Sequence, residues 1–366
     1  MKILISILSD YLQPNFLLIK EFEKQYDRLV FITTNTMESS NKNKSHFLIK
    51  ALNISQNIVS ILNIENDEDN YNNLLERFNL QHFSRENDYI LNLTGGTKII
   101  PMAVYNYFKN NNYSMKAFYV PIGKNIIKSV ETSSEQQIKY KMSLKEYFDL
   151  QGLQFESDYV DYSEFENPDL IYKKLKNNYF NKFKGLSPID YKGTKYIEEK
   201  KKKYLCGEWF EEYCFNRLKR EQNIPDNAII KGARIYRNSP DEQNNEVDVM
   251  FVKDNNLYFF ECKVIKKEWD ALSVNSFIYK LAAITKNYGL RVNSYLLTLS
   301  DMNHESIKFK QLKEKTNLLG IKKVFGYQDF EKNKLDLEIN QNFSSNANSV
   351  NEIKRQPRII RIEKKN

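Results

Sequence analysis

The chain has 366 residues, enough for two or three domains that each bury a core. Its 55 Lys and Arg against 47 Asp and Glu leave a formal charge of +8. This surplus gives weak support for a polyanionic partner, because abundant Lys with Asn, Ile and Tyr also follows from AT-rich coding.

Apolar runs and sulfur chemistry exclude several classes of protein. No apolar run approaches the roughly 18 residues of a membrane span, and the opening segment is expected to be a strand rather than a signal peptide. Cys206, Cys214 and Cys262 form no CxxC pair, which excludes a zinc ribbon and favours a reducing, cytoplasmic compartment. The three histidines are isolated in sequence, so any metal would have to be held by carboxylates.

Short apolar runs alternate with amphipathic helical segments over the first 120 residues. The runs predict strands at 3–9, 29–33, 58–64, 89–93 and 116–121, with helices near 15–26, 46–53, 71–78 and 99–109. Alternation of this kind is typical of a parallel sheet covered by helices on both faces. The sequence therefore predicts a Rossmann-like α/β domain over residues 1–140.

The remainder of the chain predicts a connector, a second α/β domain and a tail. A hairpin over 122–142, with strands at 126–132 and 137–142, follows the first five strands. The connector spans 141–195 with a helix near 144–150. The second domain, 196–340, is predicted to contain helices at 204–222, 276–288 and 307–318 and strands at 229–236, 246–252, 257–265, 294–299 and 322–327. The Asn/Ser-rich and then basic tail, 341–366, is expected to be disordered.

Two β-rich stretches in the second domain flank a turn of Asp and Asn, which predicts a β-hairpin. Side chains alternate between faces of a strand, so Glu261 and Lys263 point the same way. A two-residue turn at 254–255 places Asp248 opposite residue 261, and a turn at 255–256 places it opposite residue 263. Both registers bring an Asp, a Glu and a Lys to one face.

Such a cluster suits phosphodiester chemistry. Paired carboxylates bind Mg²⁺ or Mn²⁺, and the metal acidifies a bound water and neutralises phosphate charge. A neighbouring lysine can orient or deprotonate the water and stabilise the pentavalent phosphate. The upstream helix carries Glu208 and Glu212 on one face, and either could supply a further carboxylate.

Asp248, followed by Glu261, Cys262 and Lys263 after a Glu-bearing helix, resembles the PD-(D/E)xK nuclease motif. The resemblance implies a restriction-endonuclease-like α/β domain in which Asp248, Glu261 and the backbone carbonyl of Cys262 bind the metal. It implies that Lys263 is catalytic and that Glu208 completes the catalytic and metal-binding set. The sequence departs from the motif in having Val rather than Pro before the Asp.

The loop after the fourth predicted strand resembles a phosphate cradle. Two glycines, flanking hydroxyls and a lysine precede a helix, so free backbone N–H groups and the helix dipole would face an anion. Walker A and GxGxxG patterns are absent, which argues against a nicotinamide cofactor. Ligands of doubly wound sheets bind beyond the carboxyl ends of the strands, where this loop would lie.

The run 91–98, Leu-Asn-Leu-Thr-Gly-Gly-Thr-Lys, resembles the CARF (CRISPR-associated Rossmann fold) domain. The resemblance implies a homodimeric sensor of the cyclic oligoadenylates made by type III CRISPR complexes, with the ligand across the two-fold axis. The candidate ligand-binding residues are Ser9, Asp10, Gln13, Asn15, Thr34, Thr94, Gly95, Gly96, Thr97 and Lys98. Together the two halves resemble antiviral nucleases that cyclic tetraadenylate activates to cleave DNA or RNA.

Two other functions remain as alternatives. Arg77 and His82 match the R-x₄₋₆-H signature of HEPN-type CARF ribonucleases, but they fall within the predicted sensor domain, so we interpret the match as chance. Cleavage that survives removal of metal would favour it. A non-enzymatic nucleic-acid-binding regulator that uses the basic tail would instead show salt-dependent binding without cleavage.

Overall fold

The computed structural model describes residues 1–157, 162–179, 199–239, 245–264, 271–286, 288–289, 292–299, 307–332 and 334–337. These residues form two mixed β-sheets with helices packed on them. The predicted tail, 341–366, and part of the predicted connector lie outside the described residues. None of the described helices has both the length and the apolar character that crossing a membrane requires.

The first sheet has seven strands and carries four helices. The strands are β1 (Lys2–Ile7), β2 (Arg28–Thr33), β3 (Val59–Asn63), β4 (Asp88–Asn92), β5 (Ser114–Tyr119), β6 (Ile126–Ser129) and β7 (Glu135–Gln137). The helices are α1 (Gln13–Glu21), α2 (Lys44–Leu52), α3 (Tyr71–Leu80) and α4 (Ile99–Asn110). The order of the strands in the sheet is β3-β2-β1-β4-β5-β6-β7. Neighbouring strands are parallel from β3 to β5 and antiparallel from β5 to β7.

The central strand β1 is covered on both faces, which confirms the predicted doubly wound α/β layer. Leu4 packs into one apolar cluster with residues of α1 and α2, whereas Ile3 and Ile5 pack into another with residues of α3 and α4. This alternation is what a buried parallel strand requires. Because β1 lies between β2 and β4, the chain reverses its winding direction there, and the carboxyl ends of β1 and β4 form a crevice for a ligand.

The second sheet has six strands in mixed orientation. The strands are β8 (Gln154–Ser157), β9 (Ile229–Tyr236), β10 (Asn245–Lys253), β11 (Asn256–Lys263), β12 (Val292–Thr298) and β13 (Ile321–Phe325). The helices are α5 (Leu144–Asp149), α6 (Pro168–Tyr179), α7 (Glu199–Lys203), α8 (Trp209–Gln222), α9 (Ala271–Thr285), α10 (Ile307–Leu318) and α11 (Tyr327–Phe330). The order of the strands in this sheet is β13-β12-β11-β10-β9-β8. Strands β11 to β13 are parallel to one another, and the other neighbouring pairs are antiparallel.

Two elements of this half differ from the sequence-based expectation. The range 141–195, predicted to be a connector, supplies strand β8 at the sheet edge and helix α6, whose Tyr172 stacks on Tyr213 of α8 at 4.5 Å. The predicted continuous helix over 204–222 begins instead with a π-helical turn, Tyr204–Glu208. Gly207 has non-helical backbone angles (φ 178°, ψ −34°), so α8 starts only at Trp209.

The two sheets share one apolar core. A single cluster of buried side chains runs from Leu4 and Leu17 of the first layer to Met250 and Phe259 of the second. Helix α5 lies at this junction, where the hydroxyl of its Tyr147 donates to the carbonyl of Tyr288 at 3.0 Å. Such shared burial makes the two halves mechanically continuous.

Candidate functional site

The turn between β10 and β11 sets the register of the candidate catalytic residues. It consists of Asp254 and Asn255, with φ values of 48° and 61°, and Lys253 pairs with Asn256 across it. A turn with positive φ at both central positions matches strand twist, and Asp and Asn tolerate those angles. The same register places Asp248 beside residue 261, which confirms the first of the two predicted registers.

Three predicted catalytic side chains meet on one face of this hairpin. Asp248 and Glu261 are 4% and 2% exposed. The Nζ of Lys263 lies 2.8 Å from Asp248 Oδ2 and 3.1 Å from Glu261 Oε1, and so bridges the two carboxylates. The backbone N–H of Cys262 also donates to Asp248 Oδ2 at 2.6 Å, which fixes that carboxylate against β11.

Burial and mutual repulsion govern the charges of these groups. Burial, followed by the charge of Glu261, raises the pKa of Asp248 to about 6. Burial acts to lower the pKa of Lys263, but the charges of Asp248 and Glu261 outweigh it and raise that pKa. The ammonium group is therefore firmly protonated and takes the position of a cation between two acids.

The helical carboxylate that interacts electrostatically with Asp248 and Lys263 is Glu211, which was not predicted from the sequence. Burial, and next the charge of Asp248, raises the pKa of Glu211 to about 8. The predicted ligand Glu208 instead accepts a hydrogen bond from the Tyr162 hydroxyl, and its raised pKa comes from burial and then from the charge of Glu246. The role of Glu208 at a metal stays a prediction.

Glu212 points toward a different partner. Its carboxylate lies 3.8 Å from the Nζ of Lys231, whose charge also acts on Glu208. Lys231 therefore lies near both Glu208 and Glu212, whereas the charge of Asp248 acts on Glu211. Spacing of four along a helix identifies a common face without identifying what lies opposite.

A second lysine belongs to the site and was also missed. Lys280, on α9, places its Nζ 3.2 Å from Glu261 Oε1, and its side chain is 42% exposed. Lys263 by comparison is 26% exposed. The only signal in the sequence would have been a lysine in the helix that follows β11, which is too common a feature to single out.

In the part of the chain that the structure describes, acidic groups outnumber basic ones around the hairpin. We call the following residues the carboxylate cluster: Glu208, Glu211, Glu246, Asp248 and Glu261. No set of three or more His, Cys, Asp and Glu side chains in the described residues is already disposed around one point as metal ligands. The donor set nevertheless fits a hard divalent cation, because carboxylate oxygens are its preferred ligands and the buried pair Asp248 and Glu261 is among them. The pKa values of Asp248 and Glu211 are raised, first of all by burial, and a cation would offset the charge of these groups.

The predicted ligand-binding loops meet in the crevice between β1 and β4. Asn15 is fully buried there, and its Nδ2 donates to Ser6 Oγ at 2.9 Å, to the Ile7 carbonyl at 2.7 Å and to the Thr94 carbonyl at 3.3 Å. No described residue supplies a hydrogen bond to its Oδ1. Buried acceptors are normally hydrogen-bonded, so this oxygen is left with an unused capacity to accept a donor.

The predicted phosphate loop closes tightly onto β1. Gly95 and Gly96 have φ values of 107° and 72°, and a Cβ at Gly95 would lie 2.5 Å from the carbonyl oxygen of Ile7. The hydroxyl of Thr94 accepts from the backbone N–H of Val120 at 2.8 Å, which anchors the loop to the adjacent strand end. Glycine is therefore required at position 95 for both conformation and space.

Four further predicted ligand residues lie at the carboxyl ends of these strands and differ in their hydrogen bonds and exposure. Ser9 donates to the Tyr11 carbonyl at 3.4 Å, and Thr97 donates to the Glu68 carbonyl at 2.5 Å. Asp10 is exposed, and Lys98 is exposed at the start of α4. These side chains remain accessible from the crevice.

Two predicted residues are committed elsewhere, and one basic residue was missed. Thr34 is buried and accepts from the Met37 N–H at 3.2 Å, so it shapes the loop after β2. Gln13 donates to the backbone carbonyl of Asn255 in the second half. Lys44 is buried beside the β1 loop; burial lowers its pKa, and its Nζ donates to the Asp10 carbonyl at 2.8 Å.

The R-x₄-H pattern of the alternative ribonuclease hypothesis lies at the end of α3. Arg77 forms ion pairs with Asp67 and, at 2.6 Å, with Glu65, while His82 is exposed beyond the helix. Both residues belong to the first layer, and Arg77 is held by local carboxylates. The position agrees with our interpretation of the match as chance.

Comparisons with known proteins bear on both halves of the chain. Residues 3–147 match the family model of the Card1 CARF domain. Residues 198–331 match the model of the Card1-like endonuclease domain. Among curated protein sequences, none matches the chain.

Solved structures show the same fold over most of the chain. Can2 from Sulfobacillus thermosulfidooxidans, in complex with cyclic tetra-adenylate, is 18% identical with a TM-score of 0.66, over 90% of this chain and 97% of that one. VC1899 from Vibrio cholerae is 16% identical with a TM-score of 0.66, over 90% and 95%. A type III CRISPR defence DNA nuclease activated by cyclic oligoadenylate is 14% identical with a TM-score of 0.50, over 81% of this chain and 45% of that one.

Proposed function

Because the chain belongs to the Card1-like family, with a CARF domain followed by an endonuclease domain, we propose that it is a metal-dependent endonuclease activated by cyclic tetraadenylate in type III CRISPR antiviral defence. It cleaves DNA, RNA or both. The observation that carries the proposal is the buried pair Asp248 and Glu261 with the ammonium group of Lys263 between them. The likeness of the fold to Can2 with its cyclic tetra-adenylate supports the choice of activator.

Mg²⁺ or Mn²⁺ is the proposed cofactor. Asp248, Glu261 and Glu211 would supply carboxylate oxygens, and the carbonyl of Cys262 and the carboxylate of Glu208 remain further predicted ligands. The bound ion would supply Lewis-acid stabilisation of the phosphodiester and a more acidic water. Its charge would also offset the burial and the mutual repulsion that together raise the pKa values of Asp248 and Glu211.

The two lysines supply the positive charge of the chain itself. Lys263 is held protonated by its two acidic neighbours, so it acts as a cation that orients water and neutralises the phosphate rather than as a base. Lys280 is more exposed and contacts the same carboxylate oxygen of Glu261, Oε1, that Lys263 contacts. It is therefore placed to meet a substrate phosphate as it arrives.

The crevice of the CARF domain offers the chemistry that a cyclic oligoadenylate requires. Backbone N–H groups around Gly95 and Gly96, with the ammonium group of Lys98, suit phosphate oxygens. The Oδ1 of Asn15 suits an adenine amino group or a ribose hydroxyl, which are donors. We place the ligand across the two-fold axis of a homodimer, so that each protomer contributes one such crevice.

Cleavage assays with the full-length chain test the proposal. End-labelled single-stranded and duplex DNA and RNA are incubated with Mn²⁺ or Mg²⁺, with and without cyclic tetraadenylate, beside Glu261→Gln as the control. We expect cleavage only with metal and activator, and none by the variant. Equal cleavage with and without activator would refute the activation, and salt-dependent binding without any cleavage would favour the regulator instead. Light scattering during gel filtration tests the dimer.

A further inference from the structure

The tip of the catalytic hairpin is buried in the first half of the chain. Asn255 is only 2% exposed, although it lies in a two-residue turn. Its Nδ2 donates to Asn125 Oδ1 at 2.6 Å and to the Tyr140 carbonyl at 3.0 Å, and its Oδ1 accepts from the Met142 N–H at 2.9 Å. Both amide N–H groups and the amide oxygen are thus used to hold the hairpin turn (Asp254 and Asn255) against segments 113 and more residues away in sequence.

The same turn contacts the loop that lines the ligand crevice. Gln13 donates its side-chain amide to the backbone carbonyl of Asn255. Gln13 begins α1 and lies two residues before Asn15, which is hydrogen-bonded to the ends of β1 and β4. A ligand that repositions this loop must also change the contact with the hairpin turn.

The packing around the hairpin turn leaves space on two sides. One cleft between the two halves includes Tyr11 and Gln151 in its lining. Another, on the other side of the turn, includes Lys141 and Pro225. Directional hydrogen bonds therefore hold the turn between these two clefts.

The hairpin connects this turn directly to the candidate catalytic pair. Asp248 lies six residues before the turn, which is about 20 Å along an extended strand. Between the two points β10 and β11 are continuously paired, and Met250, Val252 and Phe259 are buried in the core that both halves share. A paired, buried ladder moves as a unit, so a shift at its tip displaces the carboxylates at its other end.

We propose that Asn255 is a positioning residue through which occupancy of the CARF crevice sets the arrangement of Asp248, Glu261 and Lys263. The inference rests on the proposed activation by cyclic tetraadenylate and identifies the element that carries it. Activation requires two states with different contacts to the ligand. The contact between Gln13 and the Asn255 carbonyl is the one that differs, and the hydrogen bonds of the Asn255 side chain keep the turn engaged in both states.

Two substitutions remove the link in different ways. Asn255→Asp keeps the shape and the tolerance of positive φ, but sets an oxygen against Asn125 Oδ1 and the Tyr140 carbonyl. Asn255→Gly keeps the backbone angles and deletes the side chain. The matched control is Asp254→Asn, since Asp254 occupies the same turn and makes an exposed ion pair with Lys141 at 2.8 Å.

The measurement is the ratio of cleavage rates with saturating and without cyclic tetraadenylate, using the full chain and Mn²⁺, together with activator affinity from calorimetry. We expect both Asn255 variants to bind activator yet lose about tenfold or more of the activation ratio, since coupling of this kind is typically about 5- to 150-fold. Asp254→Asn should retain the ratio of the unmodified chain. Circular dichroism confirms folding before each comparison.

Hydrogen exchange of peptides from 245–263 gives a second readout that does not depend on activity. Activator should change their protection in the unmodified chain and in Asp254→Asn, but not in the Asn255 variants. If the unmodified chain is activated and a folded Asn255 variant is activated as strongly, the coupling inference is wrong and the proposed function stands. If the unmodified chain cleaves equally with and without activator, the proposed activation fails, and the coupling fails with it.

Discussion

Replacing Glu211 by Gln should stabilise the metal-free protein and weaken its response to metal. The pKa of Glu211 is raised to about 8 from an ordinary value of 4.5 by burial and by the charge of Asp248. In the folded state the carboxyl group therefore holds its proton up to a higher pH than in the unfolded state. Stability falls as the pH rises from about 4.5 to about 8, and the penalty is complete above that range.

The size of this effect follows from the two pKa values. At pH 7 the penalty is about 3 kcal/mol, and at pH 9 it reaches about 5 kcal/mol, whereas at pH 5 it is below about 1 kcal/mol. Gln carries no proton to lose, so Glu211→Gln removes the penalty while keeping the shape of the side chain. The gain in stability over the unmodified chain should therefore grow with pH, to several degrees in melting temperature.

Thermal unfolding in EDTA at pH 5, 7 and 8.5 measures this difference, and repeating it with Mn²⁺ measures the response to metal. The unmodified chain should gain more from Mn²⁺ than the variant, because an ion that binds the folded state more tightly stabilises it more. Glu212→Gln is the matched control, since Glu212 is the adjacent residue and faces Lys231 instead. A gain for Glu211→Gln that is the same at all three pH values would refute the electrostatic reasoning, and so would an undiminished response to Mn²⁺.

Three further substitutions separate catalysis from sensing. Lys280→Met should lower the activated cleavage rate by about tenfold to a hundredfold, because it removes a cation beside the carboxylates. The control Lys286→Met, just beyond the same helix, should leave that rate unchanged. Equal rates for the two variants would exclude Lys280 from the site. Lys98→Ala should weaken activator binding, measured by calorimetry, by about tenfold, which is the effect of losing one charge-assisted hydrogen bond. Lys109→Ala, at the far end of α4, is its control. Loss of affinity in both variants would indicate that Lys98 acts only through the overall charge of the protein. Gly95→Ala should lower the melting temperature and abolish activator binding. The new Cβ would lie 2.5 Å from the carbonyl oxygen of Ile7, and residue 95 would have to keep a φ of 107°. Unchanged binding would mean that the ligand does not use this loop.

The register of the catalytic hairpin could be predicted from sequence because local chemistry decides it. Asp254 and Asn255 are residue types that accept positive φ, and the period of two then determines which side chains share a face. Glu211 could not be predicted, because helical spacing groups Glu208 with Glu212 but does not say which side of α8 meets the sheet. The π-helical turn at Tyr204–Glu208 adds to this, since it changes where the regular helix begins.

Contacts between distant segments could not be predicted from the sequence, for a different reason. An Asn in a tight turn is common whether the turn is buried or exposed, so nothing near Asn255 announces its burial against Asn125 and Tyr140. Strand β8 was missed because it has four residues and only its pairing with β9 makes it a strand. In both cases the partner is decided by tertiary packing rather than by local preference.

The distribution of charge links the metal to the substrate. The chain carries a net +8, which favours encounter with a polyanion. Among the residues that the structure describes, however, the five acids of the carboxylate cluster interact with three lysines: Lys231, Lys263 and Lys280. A phosphodiester approaching this surface would meet net negative charge in a partly buried setting, where repulsion is poorly screened. A divalent cation reverses that sign at the point where the scissile phosphate must lie. The nucleic acid can therefore bind elsewhere on the protein through the excess of lysine. Entry of the phosphate into the site, and hence cleavage, is expected to require the metal.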